Sequence, residues 1–264
     1  MVLAPVVLAL VVLAPVVLAP VVLALVLTGC APPPEPAVTP PVVVVDDSNG
    51  GGVGETCRLD DEEQCQRLCD KGDAESCTRL ARLWLNGQLR DGSEILALFS
   101  RACEAGSARG CNGLGVLHQR GLGVSKDIDK ALEWYGEACS MGFAGACYNM
   151  GQIHRFGQGV SRDAKAAARF YEKACGSGNG DGCAALGTLL VDGDGVARDP
   201  ARAKELFDRA CKANVARGCH NLAIARLRDG VSRDDSSLRQ LLKRACKLGF
   251  EVSCQPLPTG PGEP

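Results

Sequence analysis

The stretch Cys147–Gly182, CYNMGQIHRFGQGVSRDAKAAARFYEKACGSGNGDG, decides the fold, because its pattern recurs on both sides at nearly constant steps. Its neighbours are Cys111–Ala146 and Cys183–Gly218, 36 residues each like the central unit, with an outer pair at Cys77–Gly110 (34) and Cys219–Ser253 (35). A period of this length with helix-like content is the signature of a solenoid of helix-turn-helix units. Within the unit, Cys147, Met150, Gly151 and His154 fall at i, i+3, i+4 and i+7 and lay one stripe along a first helix, A. Gly157-Gln158-Gly159-Val160 ends that helix, since glycine enters the left-handed region without a Cβ clash. Asp163 is placed to cap a second helix, B, whose apolar face is Ala167, Phe170, Tyr171, Ala174 and Cys175.

The same punctuation returns at Gly121-Leu122-Gly123-Val124 with Asp127, and at Gly193-Asp194-Gly195-Val196 with Asp199 and a first-turn Pro200. The outer units depart: the run from Asn86 to Gly92 loses the second glycine, and Arg228-Asp229-Gly230-Val231 is one residue short. Atypical end units are what a solenoid needs to close its core against water. Leu114-Gly115, Gly121-x-Gly123-Val124-x-x-Asp127 and Lys130-Ala131-Leu132-x-Trp134-Tyr135 together resemble the Sel-one-like repeat, a relative of the tetratricopeptide repeat, over five units. The resemblance implies an all-α fold, an α/α superhelical solenoid used as an adaptor surface for a protein or peptide partner. No activity follows from membership.

Of fifteen cysteines, Cys30 belongs with the N-terminal segment, and the other fourteen divide into pairs eight apart. These are Cys57/Cys65, Cys69/Cys77, Cys103/Cys111, Cys139/Cys147, Cys175/Cys183, Cys211/Cys219 and Cys246/Cys254. From Cys69 onward the first of each pair ends a B helix and the second opens the next A helix, which brings the thiols within disulfide reach across a tight connection. One disulfide per helical hairpin is the expectation, and it requires an oxidising compartment. Two other readings stand beside it. Reduced cysteines could serve as small buried apolar residues; zinc would need closer pairs, and only Cys65-x-x-x-Cys69 puts two thiols on one helical face. Cysteine-bridged repeats resemble the secreted cysteine-rich branch of the same family, some members of which are described as binding or slowly hydrolysing β-lactams. A weak β-lactamase-like, penicillin-binding hydrolase is therefore the alternative function.

Met1–Leu27 is nearly all Val, Leu, Ala and Pro, so it inflates the 46% hydrophobic fraction and reads as an export signal rather than core. Leu27-Thr28-Gly29-Cys30 resembles a bacterial lipobox, with diacylglycerol on Cys30 and cleavage before it, which makes residues 1–29 the signal peptide. Ala31 resembles outer-membrane sorting in Gram-negative lipoproteins. The positive n-region is missing, and an uncleaved helix of about 26 apolar residues would also span a bilayer, although Pro5, Pro15 and Pro20 count against it. Residues 30–56, rich in proline and closing on Gly50-Gly51-Gly52, read as a tether; 57–76 as a capping helix; 77–254 as five repeats; 255–264 as a frayed tail.

With 29 Lys plus Arg against 31 Asp plus Glu the net charge is −2, which leaves no basic footprint for nucleic acid. Helix-B cations such as Arg162, Arg198 and Lys204 read as solvated faces. His118 and His154 share one repeat position, where two imidazoles could converge on a ligand or simply pack between helices. A metal site takes three or four ligands, and no metal or cofactor is expected. Ser-x-x-Lys, Lys-Thr-Gly, Ser-Asp-Asn and Gly-x-Ser-x-Gly do not occur, so no catalytic residue is assigned. The expected site is the concave side, where stacked A helices present Asn112, His118, Gln119, Tyr148, Gln152, His154 and Asn221 to an extended partner. The expected location is the bacterial outer membrane, through lipid on Cys30.

Overall fold

The computed structural model describes residues 57–58, 61–87 and 91–255, all within one compact unit. The signal segment, Cys30, the tether and the tail beyond Gln255 lie outside the described residues. The chain runs α1 (Glu62–Asp70), α2 (Ala74–Gly87), α3 (Gly92–Glu104), α4 (Ala108–Arg120), α5 (Ile128–Ser140) and α6 (Ala144–Phe156). It continues through α7 (Ala164–Gly176), α8 (Gly180–Asp192), α9 (Pro200–Lys212), α10 (Ala216–Arg228), α11 (Ser236–Lys247) and a 3₁₀ turn (Glu251–Cys254). Even-numbered helices are the A helices and odd-numbered ones the B helices; α1 is a B helix with no A helix before it among the described residues, and the 3₁₀ turn stands where a further A helix would open.

Each B helix of the central repeats starts on an aspartate whose carboxylate accepts an orphan backbone amide of the first turn. Asp127, Asp163 and Asp199 accept from the amides of Lys130, Ala166 and Arg202 at 3.0, 2.8 and 2.9 Å. The A helices α4, α6 and α8 stop at Gly121, Gly157 and Gly193 in the left-handed region, as the glycine pairs imply. The second glycine of each pair has a separate job. At Gly195 an added Cβ would lie 2.4 Å from the carbonyl carbon of Ala164, at the start of the preceding B helix, so the loop of one repeat seats against its neighbour.

Packing within a repeat sets a large B-helix ring on a small A-helix residue. An added Cβ on Gly115, Gly151 or Gly187 would lie 2.6, 2.5 or 2.6 Å from ring carbons of Tyr135, Tyr171 or Phe207. Ala146 and Ile153 on α6 are also wholly buried, outside the single stripe expected from the sequence. An A helix contacts its own B helix and the preceding B helix, so one apolar face does not cover both interfaces.

In the central repeats an A helix packs more extensively on its own B helix than that B helix packs on the next A helix. The disulfides cross the thinner interface. All seven eight-residue pairs are bonded, with Cα–Cα distances from 4.4 to 4.9 Å, and neither the reduced-core nor the zinc reading survives. Arginines add a second tie between repeats: Arg101 Nη2 donates to the Cys69 carbonyl at 2.8 Å, and Arg209 Nη2 to the Cys175 carbonyl at 2.9 Å.

Candidate binding groove

The two helix types differ in what they show to solvent. No residue of α4 from Ala108 to Gln119, of α6 from Ala144 to Arg155, or of α10 from Ala216 to Leu227 is fully exposed. Helix α7, by contrast, exposes Lys165, Arg169, Glu172 and Lys173. Helices α2 and α4 pack on each other, as do α8 and α10, whereas no two B helices do so to that extent among the described residues. The A helices are therefore the more enclosed layer, the candidate groove wall, and the B helices the more solvated one.

Asn112 does not face that groove. It is 5% exposed and its Oδ1 accepts from Asn149 Nδ2 at 3.1 Å, because a buried amide between two helices needs a partner. The two glutamines reach back to the B-helix phenols. Gln119 Oε1 accepts from the Tyr135 hydroxyl at 2.7 Å while its Nε2 donates to Gln158 Oε1 at 3.1 Å in the next repeat. Gln152 Oε1 accepts from the Tyr171 hydroxyl at 2.9 Å, and its Nε2 donates to the Tyr148 hydroxyl. Burial pushes all three phenols above the ordinary tyrosine range. Tyr148, its ring 5.8 Å from that of Tyr171, is half-buried and stands on the groove wall.

A row that the sequence reading did not single out runs beside it. The second residue of each A helix is Glu75, Arg109, Gly145, Asp181 and Arg217 in turn. Glu75 Oε1 and Arg109 Nη1 are 3.6 Å apart. Asp181 is exposed, yet the surrounding helices remove enough water to push its carboxyl up, an effect that Arg217 opposes. An accessible but poorly hydrated carboxylate is what a groove wall produces. Superimposing the five units on their cysteines would have exposed this alternation of sign.

The histidines are packing groups. His154 stacks on Phe170 of its own hairpin, centroids 5.4 Å apart, and His220 lies 4.7 Å from Phe250 with Nδ1 2.7 Å from Ser253 Oγ. His118 is half-buried with Nδ1 enclosed and unpartnered. Among the described residues no three His, Cys, Asp or Glu side chains stand together as metal ligands, and no helix is long and apolar enough to cross a membrane. Asn221 lies elsewhere, in a cavity of about 360 Å³ between α8, α9 and α10, whose lining also includes Val191, Phe207 and Ile224. Arg198, read from sequence as part of a solvated face, lines the same cavity.

The described residues thus form an α/α solenoid of disulfide-stapled hairpins whose enclosed A-helix layer is the candidate binding face. The Sel1 repeat family matches residues 74–107, 108–143, 144–179, 180–215 and 216–250, and the chain belongs to that family. Each matched unit begins at the first residue of an A helix, three residues before the cysteine that frames it in the sequence. Sel1 repeat proteins are in general protein-interaction scaffolds. Among solved structures the chain is similar to a Sel1 repeat protein from Oxalobacter formigenes, at 24% identity and a TM-score of 0.63 over 73% of this chain and 86% of that one. It is also similar to a protective antigen of uropathogenic Escherichia coli with an SLR fold, at 22% identity and a TM-score of 0.62 over 72% of this chain and 41% of that one. Both likenesses concern the fold. A comparison with curated proteins found no match.

Proposed function

We propose that the chain is a non-catalytic interaction scaffold displayed on the bacterial cell envelope through lipid on Cys30, with the A-helix groove holding an extended segment of a protein partner. The observation that carries the groove reading is the polar wall formed by Tyr148, Gln152, Asp181 and Arg217, accessible yet poorly hydrated. Groups already stripped of part of their water and held by neighbours lose little further freedom on binding. Display outside the cytoplasm is supported by the seven disulfides, which persist only under oxidising conditions.

A photo-crosslinking residue at Tyr148 or Asp181 in intact cells, compared with one at Glu133 on the B face, tests the groove. Mass spectrometry should recover one partner peptide from the A-face positions and none from Glu133; equal recovery from both faces would sink the reading. Palmitate labelling tests the anchor: label and envelope association should both disappear in Cys30→Ala, and retention of either would remove the lipid from the account.

A further inference from the structure

We propose that the cavity between α8 and α10 seats an extended peptide segment that sets one apolar side chain on its floor and an adjacent acidic residue against Arg198 and Arg228. This rests on the groove reading above and assigns the partner its chemistry. Three observations carry it. First, the Asn221 side-chain amide has no hydrogen-bond partner among the described residues. It occupies the register position of Asn149, whose Nδ2 is taken up by Asn112 of the preceding A helix. The preceding-helix residue in register with Asn112 is Ala184 for this pair, which offers no side-chain hydrogen bond, so the Asn221 amide is left at the cavity with a donor and an acceptor. A side-chain amide of that kind matches the N–H and C=O of one peptide unit of an extended chain.

Second, the cavity has an apolar floor. Val191, Phe207 and Ile224 line it, and about 360 Å³ accommodates a single aliphatic side chain together with its backbone. Third, its charge is not balanced. Lys204 and Asp229 pair with each other, which leaves Arg198, Arg228 and Asp192 among the lining charges, a surplus of one positive. The two guanidiniums come from different walls, the loop before α9 and the last residue of α10, and neither pairs with a carboxylate among the described residues. Planar guanidiniums recognise carboxylates through paired hydrogen bonds, so an acidic residue complements this rim and a basic one does not.

The test uses the folded, oxidised repeat protein with fluorescein-labelled, acetylated and amidated octapeptides of Ser and Gly that carry one Leu followed by either Asp or Asn. Fluorescence anisotropy should show the Asp peptide binding about tenfold tighter than the Asn peptide at low salt, with the advantage fading as salt rises. The double variant Arg198→Ala/Arg228→Ala should erase that advantage and leave Asn-peptide binding unchanged; both side chains are exposed, so helicity should not alter. Asn221→Ala should weaken both peptides alike. An Asp advantage that survives the double variant overturns the proposal. Capture that ignores charge but is lost in Asn221→Ala overturns the acidic specificity while leaving the groove reading intact. Capture that no A-helix substitution alters overturns both.

Discussion

In the three central repeats the A-helix residue beneath the B-helix ring is Gly115, Gly151 or Gly187, whereas the end repeats carry Ala81 and Ala223 at that position. The partners explain the difference. At the C-terminal end the B helix supplies Leu242 in place of a ring, and alanine fits. At the N-terminal end the ring is Phe99, but it leans onto the next A helix, where an added Cβ on Gly113 would lie 2.4 Å from it. The glycine follows the ring. A mid-helix glycine costs about 1 kcal/mol relative to alanine, so these positions are held by sterics against local preference.

That contrast gives the largest expected effect. Gly151→Ala should destabilise by about 2 to 3 kcal/mol, overpacking against Tyr171 exceeding the gain in helix propensity, as measured by denaturant unfolding. Adding Tyr171→Leu, which reproduces the Ala223/Leu242 arrangement, should return part of the loss, and Ala223→Gly at the end should cost only about 1 kcal/mol. A neutral Gly151→Ala would show that the ring swings aside freely and that the central and end repeats do not differ in this respect.

The staples sharpen the same comparison. Every bridge closes a loop of the same length, so loop-closure entropy assigns each about 2.5 kcal/mol, and removing Cys175 and Cys183 together should cost that much. Access to reductant differs. Cys175 and Cys183 are 2% exposed, whereas Cys254 is exposed and Cys246 half-buried. Limited dithiothreitol followed by alkylation and mass mapping should label Cys246 and Cys254 first. Earlier labelling of Cys175 and Cys183 would mean that the central repeats open more readily than the end.

What was legible in the sequence is what a single repeat encodes locally. Asp163 as a cap, Gly157 as a stop, the B-helix face around Tyr171 and the eight-residue cysteine pairs each involve residues close along the chain. What was not legible depends on residues a full repeat away. Asn112 reads as a variable surface group until Asn149, 37 positions on, is brought against it. Gly195 reads as a second turn glycine until Ala164 presses on it from the preceding repeat. Arg198 reads as a solvated cation until α10 closes the cavity that it lines from the other side.

A smaller effect is expected at the turn between B and A helices. Gly106, Gly142 and Gly178 adopt positive φ there, and Asn214 takes the equivalent place at φ +60°. Asparagine tolerates this region, and Asn214 Oδ1 also accepts from Arg244 Nη2 at 2.8 Å. Asn214→Ala should therefore cost about 1 to 2 kcal/mol, combining backbone strain with the lost bond, while Asn214→Gly should stay within about 0.5 kcal/mol by offsetting one with the other. Equal losses in both variants would show that the Arg244 bond, and not the backbone, holds the turn.

The last contrast lies in the caps. The amide of Ala166 chiefly holds the Asp163 carboxyl below its ordinary range, and the Ser237 hydroxyl chiefly does so for Asp235 at the end. A carboxylate whose folded pKa is depressed binds fewer protons than in the unfolded chain, so its contribution is complete above about pH 4 and is lost as pH falls through the lower folded value. Ser237→Ala should thus raise the Asp235 midpoint in a carboxyl NMR titration while leaving Asp163 unmoved, because a backbone amide survives the substitution and a side-chain hydroxyl does not. An unmoved Asp235 midpoint would mean that the amides of Ser237 and Leu238, both donating to Asp235 Oδ1 at 2.8 and 3.0 Å, suffice at the end as the backbone does in the centre.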